Sequence, residues 1–144
     1  MRMPLALLTL LLAPVLAWAE APAAGDQLTD DEAITMCAEA LPKHLECKQE
    51  SCATMVKIRT KGKAVDLKAM EGKCLKELEV DGTGDLAARK ARCATWIKAR
   101  PMSVSRAEAK ELTACWSKPT CQVRFDCWAP KMAKLMEGAA PKKK

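Results

Sequence analysis

Aliphatic and aromatic side chains are scarce in this sequence. Leu, Ile, Val and Phe make up 18 of the 125 residues from 20 to 144, or 14%, a share at which a chain does not ordinarily order itself by burial alone. Aromatics are 3% overall and histidine occurs once, as His44. No two cysteines form a CxxC pair, which leaves out the usual low-pKa thiol motif of disulfide exchange and the close ligand pairs of structural zinc. No serine elbow accompanies His44, and the carboxylate pairs Asp30/Asp31 and Glu77/Glu79 read as solvated helix faces, so no catalytic constellation stands out. There is no alternating strand pattern longer than about five residues, and no apolar run after residue 19 long enough to cross a bilayer. Together these absences predict a non-enzymatic, all-α chain held together by something other than its core.

Cysteine, by contrast, is abundant: eight residues, all after residue 19. The chain opens on a short basic start, Met1-Arg2-Met3-Pro4, then an apolar run over 5–16, then Ala17-Trp18-Ala19 ahead of Glu20. That pattern predicts a secretory signal peptide over 1–19, cleaved near Ala19, because the run is shorter than the ~20 residues of a membrane-spanning helix. The chain that follows is expected to be periplasmic or extracellular, with no cysteine at the cleavage point to carry a lipid. An even number of cysteines in an exported chain reads as a disulfide framework. A bridge across 22 residues contributes roughly 3 kcal/mol in the loop-closure picture, so four bridges offset a thin core.

The cysteines are carried by an internal repeat. Cys52-Ala53-Thr54-Met55-Val56-Lys57-Ile58-Arg59 recurs 41 positions later as Cys93-Ala94-Thr95-Trp96-Ile97-Lys98-Ala99-Arg100. Leu45 maps onto Leu86 and Cys74 onto Cys115, so the copies span 45–74 and 86–115. A cysteine placed identically in both copies is expected to make the same bond in both, which predicts Cys52–Cys74 and Cys93–Cys115, each tying a hairpin. Cys37, Cys47, Cys121 and Cys127 then fasten the outer helices. Nine residues separate Cys37 from Cys47, as in twin-CX9C helical hairpins, but the second such pair is missing.

Taken in order, residues 20–28 read as a flexible leader. Thr29-Asp30-Asp31-Glu32 is a capping box, and the helix it opens is expected to stop at Leu41, before Pro42. A second helix is predicted over 43–58, with Leu45, Cys52 and Val56 on one face, followed by a basic turn through Lys63. A third covers 65–80, with Leu67, Met70, Cys74, Leu75 and Leu78 at helical spacing. In Asp81-Gly82-Thr83-Gly84-Asp85, Gly82 is expected to end one helix in the left-handed conformation and Asp85 to cap the next. A calcium loop is excluded there by Leu86 and Arg92, which stand where glycine and glutamate are needed. The fourth helix runs to Ala99, Ser105-Arg106-Ala107-Glu108 opens a fifth as far as Trp116, and a sixth over 120–137 is interrupted at Pro130. The expected fold is all-α: a small disulfide-stabilised helical bundle of two duplicated αα-hairpins plus flanking helices, one domain over 29–137 ahead of a basic tail at 138–144.

Charge is spread unevenly. Residues 20–50 hold eight acidic and two basic side chains, net −6, and residues 51–144 hold ten acidic and 21 basic, net +11. Either the acidic first helix packs on a basic body, or the chain meets an anionic surface or polymer. For the second case Lys57, Arg59, Lys61 and Lys63, with Arg89, Lys90 and Arg92, are expected to form one basic face. Trp96, Trp116, Trp128 and Phe125 read as core, and His44 as a surface or capping residue. The function that follows is an exported, non-catalytic binding or structural module with no cofactor. The alternative is a carrier of copper or zinc that uses cysteine thiolates and methionine thioethers, and the two differ in whether the cysteines are bonded or free.

Overall fold

The computed structural model describes residues 24–139; the expected signal peptide, the start of the expected leader and the end of the expected basic tail lie outside the described residues. Among the described residues six α-helices follow one another, with no strand: α1 (Asp30–Glu46), α2 (Lys48–Thr60), α3 (Leu67–Asp81), α4 (Leu86–Ala99), α5 (Arg106–Cys115) and α6 (Cys121–Ala139). No helix among them is long and apolar enough to cross a membrane.

Local side-chain chemistry sets the starts. At α1 the Thr29 hydroxyl accepts from the Glu32 backbone N–H, and the Glu32 carboxylate accepts from that of Thr29, closing the capping box. Asp66 caps α3, Asp85 caps α4, and Ser105 with Glu108 forms a second box at α5. The leader is not free along its whole length. Leu28 donates its N–H to the Val104 carbonyl at 2.8 Å and Gln27 bridges to Ser105, so its end is fastened to the link between α4 and α5.

The structure departs from the sequence expectation at both helical prolines, and with the first of them the start of α2 moves from residue 43 to Lys48. Pro42 lies inside α1, which continues to Glu46 and breaks only at Cys47, with φ −111° and ψ 40°. A proline has no N–H and orphans the carbonyl four residues back, here Ala38, which is fully buried. Arg89 Nε donates to that carbonyl at 2.9 Å, so the helix passes through Pro42 without an unpaired buried acceptor. Pro130 likewise lies inside α6. It and Asp126, whose carbonyl it frees, are both exposed, where solvent serves the orphan and the expected interruption does not occur.

The loop between α3 and α4 also differs in detail. Gly82 has φ −75°, an ordinary right-handed value, and the left-handed residue is Gly84, at φ 87°. Gly82 is needed for closeness instead: a Cβ there would meet the Leu45 Cβ at 2.9 Å.

Helix α1 lies along α4, α2 lies along α3, and α6 packs on both α2 and α5. This arrangement makes two small cores. In the first, Ala38, Leu41, Cys52, Leu78 and Cys93 are buried, with Ile34, Leu45 and Leu75 packed against them. In the second, Cys47, Leu112, Cys115, Phe125 and Trp128 are buried under Met55, Ile58, Trp116, Met132 and Leu135. Trp116 and Trp128 thus serve the core as expected, whereas Trp96 remains 44% exposed on α4.

Each core is built around two disulfides, Cys37–Cys93 and Cys52–Cys74 in the first, Cys47–Cys121 and Cys115–Cys127 in the second. Cys52–Cys74 closes the α2–α3 hairpin as the repeat predicts. Cys93 and Cys115 are not bonded to each other, because α4 packs on α1 and α5 on α6, which brings Cys93 to Cys37 and Cys115 to Cys127. The first copy is therefore a closed hairpin, and the second is a pair of consecutive helices whose bonds run outside it. Two of the acidic side chains at the start of the chain find partners within the molecule: Glu32 meets Arg106 at 2.6 Å and Glu46 meets Arg124 at 3.2 Å.

Candidate functional site

His44 is not a surface residue. Its ring stands edge-on to Trp116, Phe125 and Trp128, with centroids 4.8, 5.6 and 5.1 Å away, and its Nδ1 lies 2.7 Å from the Ser51 hydroxyl oxygen. Desolvation in this aromatic setting lowers its pKa from 6.5 to about 4, so the imidazole is neutral at pH 7. A histidine on a serine hydroxyl is the first half of a nucleophile, but Ser51 is only 2% exposed and no substrate carbonyl has room to reach it. The contact gives each of two polar groups in an apolar setting a partner.

The seven residues expected to form one basic face fall into two groups. Arg89 donates to the carbonyls of Ala38 and Gly84. Arg92 donates to those of Asp81 and Thr83, both at 2.7 Å, satisfying acceptors that the end of α3 leaves open. These two half-buried arginines are tied to the backbone of neighbouring segments, and Lys90 shares their turn. Lys57, Arg59, Lys61 and Lys63 lie at the other end of α3, whose 15 residues span roughly 22 Å. In place of one contiguous face the structure has an arginine clamp on the backbone around the α3–α4 loop and, a helix length away, a basic tip.

The tip is shaped by local rules. Thr60 donates its hydroxyl to the Val56 carbonyl at 2.7 Å, Lys63 donates its N–H to the Thr60 carbonyl at 2.8 Å, and Gly62, at φ 74°, takes the turn. Every residue from 61 to 70 is exposed. Residues 57–70 carry five cations, Lys57, Arg59, Lys61, Lys63 and Lys68, against one acid, Asp66, with Glu71 just beyond, and the Asp66 carboxylate accepts from the Ala69 N–H as the α3 cap. Among the described residues, Lys61 alone of the five makes an ion pair, with Glu137 on α6 at 2.9 Å.

Sequence reasoning did not find what lies among these cations. The apolar seam of α3 is covered from Cys74 onward, where Leu75 and Leu78 join the first core. At its start Leu67 and Met70 are 43% and 37% exposed, with Val65 at 41% just before them. Met55 and Ile58, late in α2, pack on the second core, and although Val56 between them is buried, the first turn of α3 stays exposed. The signal was present in the seam itself, which extends toward a turn composed of lysines.

The eight sulfurs that a thiol-based metal carrier would use are all in S–S bonds. Among the described residues no three His, Cys, Asp or Glu side chains are grouped to hold a metal ion. Compared with known proteins, the chain matches no family model, no curated protein and no solved structure.

Proposed function

We propose that this chain is an exported, non-catalytic binding or structural module that engages an anionic partner through the α2–α3 tip. The observation that carries the reading is the charge of that tip, where Lys57, Arg59, Lys63 and Lys68 stand outside any ion pair among the described residues. The acidic helix α1 finds internal partners in Arg106 and Arg124, so the excess of positive charge at the tip is not consumed by it. Four disulfides and no free cysteine support folding in an oxidising compartment outside the cytoplasm.

Retention on immobilised heparin, followed as salt rises, tests the reading. Exposed charges interact over about 10 Å at 0.1 M salt and less above it, so retention is expected to fall steeply. Replacing Lys57, Arg59, Lys61 and Lys63 by Gln is expected to remove most of it and to leave the helical circular dichroism unchanged, while Lys90→Gln has little effect. A wild type that binds no polyanion at low salt would end the anionic-partner reading.

A further inference from the structure

We infer that the anionic partner is a lipid surface, met end-on by the α2–α3 tip, with Val65, Leu67 and Met70 entering the headgroup layer and Lys57, Arg59, Lys63 and Lys68 lying among the phosphates. This rests on the reading of the tip as an anion-binding site and goes further by naming the anion. Three features of the tip select lipid over a soluble polyanion. Apolar side chains stand within the cation cluster, 41%, 43% and 37% exposed, and a hydrophilic polymer would leave them in water, whereas the boundary between headgroups and acyl chains covers them. The segment 57–70 has no aromatic residue, so nucleic-acid bases have no platform to stack on. The turn is also open: Cys52–Cys74 ties the hairpin well back from it, all of 61–70 are exposed, and although Lys61 pairs with Glu137 on α6, the apolar side chains of the turn are left accessible to a flat surface.

The two kinds of side chain act in different ways. The lysines and Arg59 bring the tip to an anionic surface, each worth about fivefold in partition and weakened by salt. Val65, Leu67 and Met70 add a component that salt does not screen. The same division lets the cations explain attraction to any polyanion and leaves the apolar residues to explain lipid.

The test uses the oxidised, processed protein with vesicles of phosphatidylcholine alone, vesicles containing roughly 30% phosphatidylglycerol, and heparin in parallel. The wild type is expected to co-sediment with the anionic vesicles and not with the neutral ones. Val65→Ser, Leu67→Ser and Met70→Ser combined should weaken vesicle binding about tenfold or more and leave heparin retention as it was. All three positions are exposed, so the variant should keep the wild-type circular dichroism. As a second measurement, Leu67→Trp should shift to shorter emission wavelength on anionic vesicles and be quenched by brominated lipid, relative to the wild-type tryptophan background. Heparin retention without vesicle binding, or vesicle binding unchanged in the triple variant with no Leu67→Trp shift, assigns the tip to a soluble polyanion and overturns the lipid inference alone. Absence of binding to both heparin and vesicles overturns the anion-binding reading with it.

Discussion

The His44 imidazole shows how one side chain can set a pH limit on the fold. Its pKa is about 4 in the folded protein against 6.5 for the free group, because the aromatic cluster excludes the charged form. As pH falls below 6.5 the unfolded chain takes up a proton that the folded one refuses, so stability falls between pH 6.5 and 4 and levels off below. The loss is at most about 3 kcal/mol, since the residue as a whole is only half-buried. The exposed Glu32 works in a lower window. Its hydrogen bond to Arg106 holds it at about 2 against 4.5, so what it contributes is lost as pH falls from 4.5 through 2. Urea midpoints measured from pH 7.5 to 4 should therefore decline in the wild type and decline much less in His44→Asn; parallel declines would show that His44 is not the titrating group.

Between elements, the decisive contact is Arg89 on α4 with the carbonyl that Pro42 frees in α1. Leaving a buried acceptor unpaired costs about 1–3 kcal/mol, so Arg89→Met should destabilise by that order. In a Pro42→Ala background residue 42 regains an N–H for the Ala38 carbonyl, and the same Arg89→Met change should cost less. A double-mutant cycle by urea denaturation measures the difference; equal costs in the two backgrounds would mean that Arg89 acts through something other than this carbonyl. The same contact shows why the helix starts that carry a capping side chain at Thr29, Asp85 and Ser105 were legible in the sequence, while the passage of α1 through Pro42 and the start of α2 were not. Thr29 with Glu32, Asp85, and Ser105 with Glu108 act within three residues of themselves, whereas the donor that lets α1 run through Pro42 lies 51 positions away. The tip repeats the lesson: its cations stand at every second residue from Lys57 to Lys63 and are easily noticed, but separating them from Arg89 and Arg92 takes the length of α3. The bond of Cys52 to Cys74 followed from the repeat because both lie in one hairpin. That of Cys93 to Cys37 did not, because it depends on which helix lies against α4.

At the scale of the molecule, two cores this small are held by what the disulfides deny the unfolded chain. In the loop-closure picture the contribution grows with the length of chain enclosed. Cys47–Cys121 and Cys37–Cys93 enclose separations of 74 and 56 residues, about 4 kcal/mol each. Cys52–Cys74 and Cys115–Cys127 enclose 22 and 12, about 3 kcal/mol each. The bridges overlap along the chain, so these figures rank the bonds and do not add. Cys47–Cys121 has a further role, since it ties the break between α1 and α2 to the start of α6 and so fastens the two halves of the bundle together. Of the four paired Cys→Ser variants, the one at 47 and 121 should melt at the lowest temperature and the one at 115 and 127 at the highest, as followed by circular dichroism at 222 nm. Both sulfurs of Cys115–Cys127 belong to neighbouring helices that also share Leu112, Phe125 and Trp128, so packing remains to hold α5 on α6 when that bond is removed. If the 115/127 variant were instead the least stable, packing around that bond would outweigh chain entropy, and the second core would be the part of the molecule on which the rest depends.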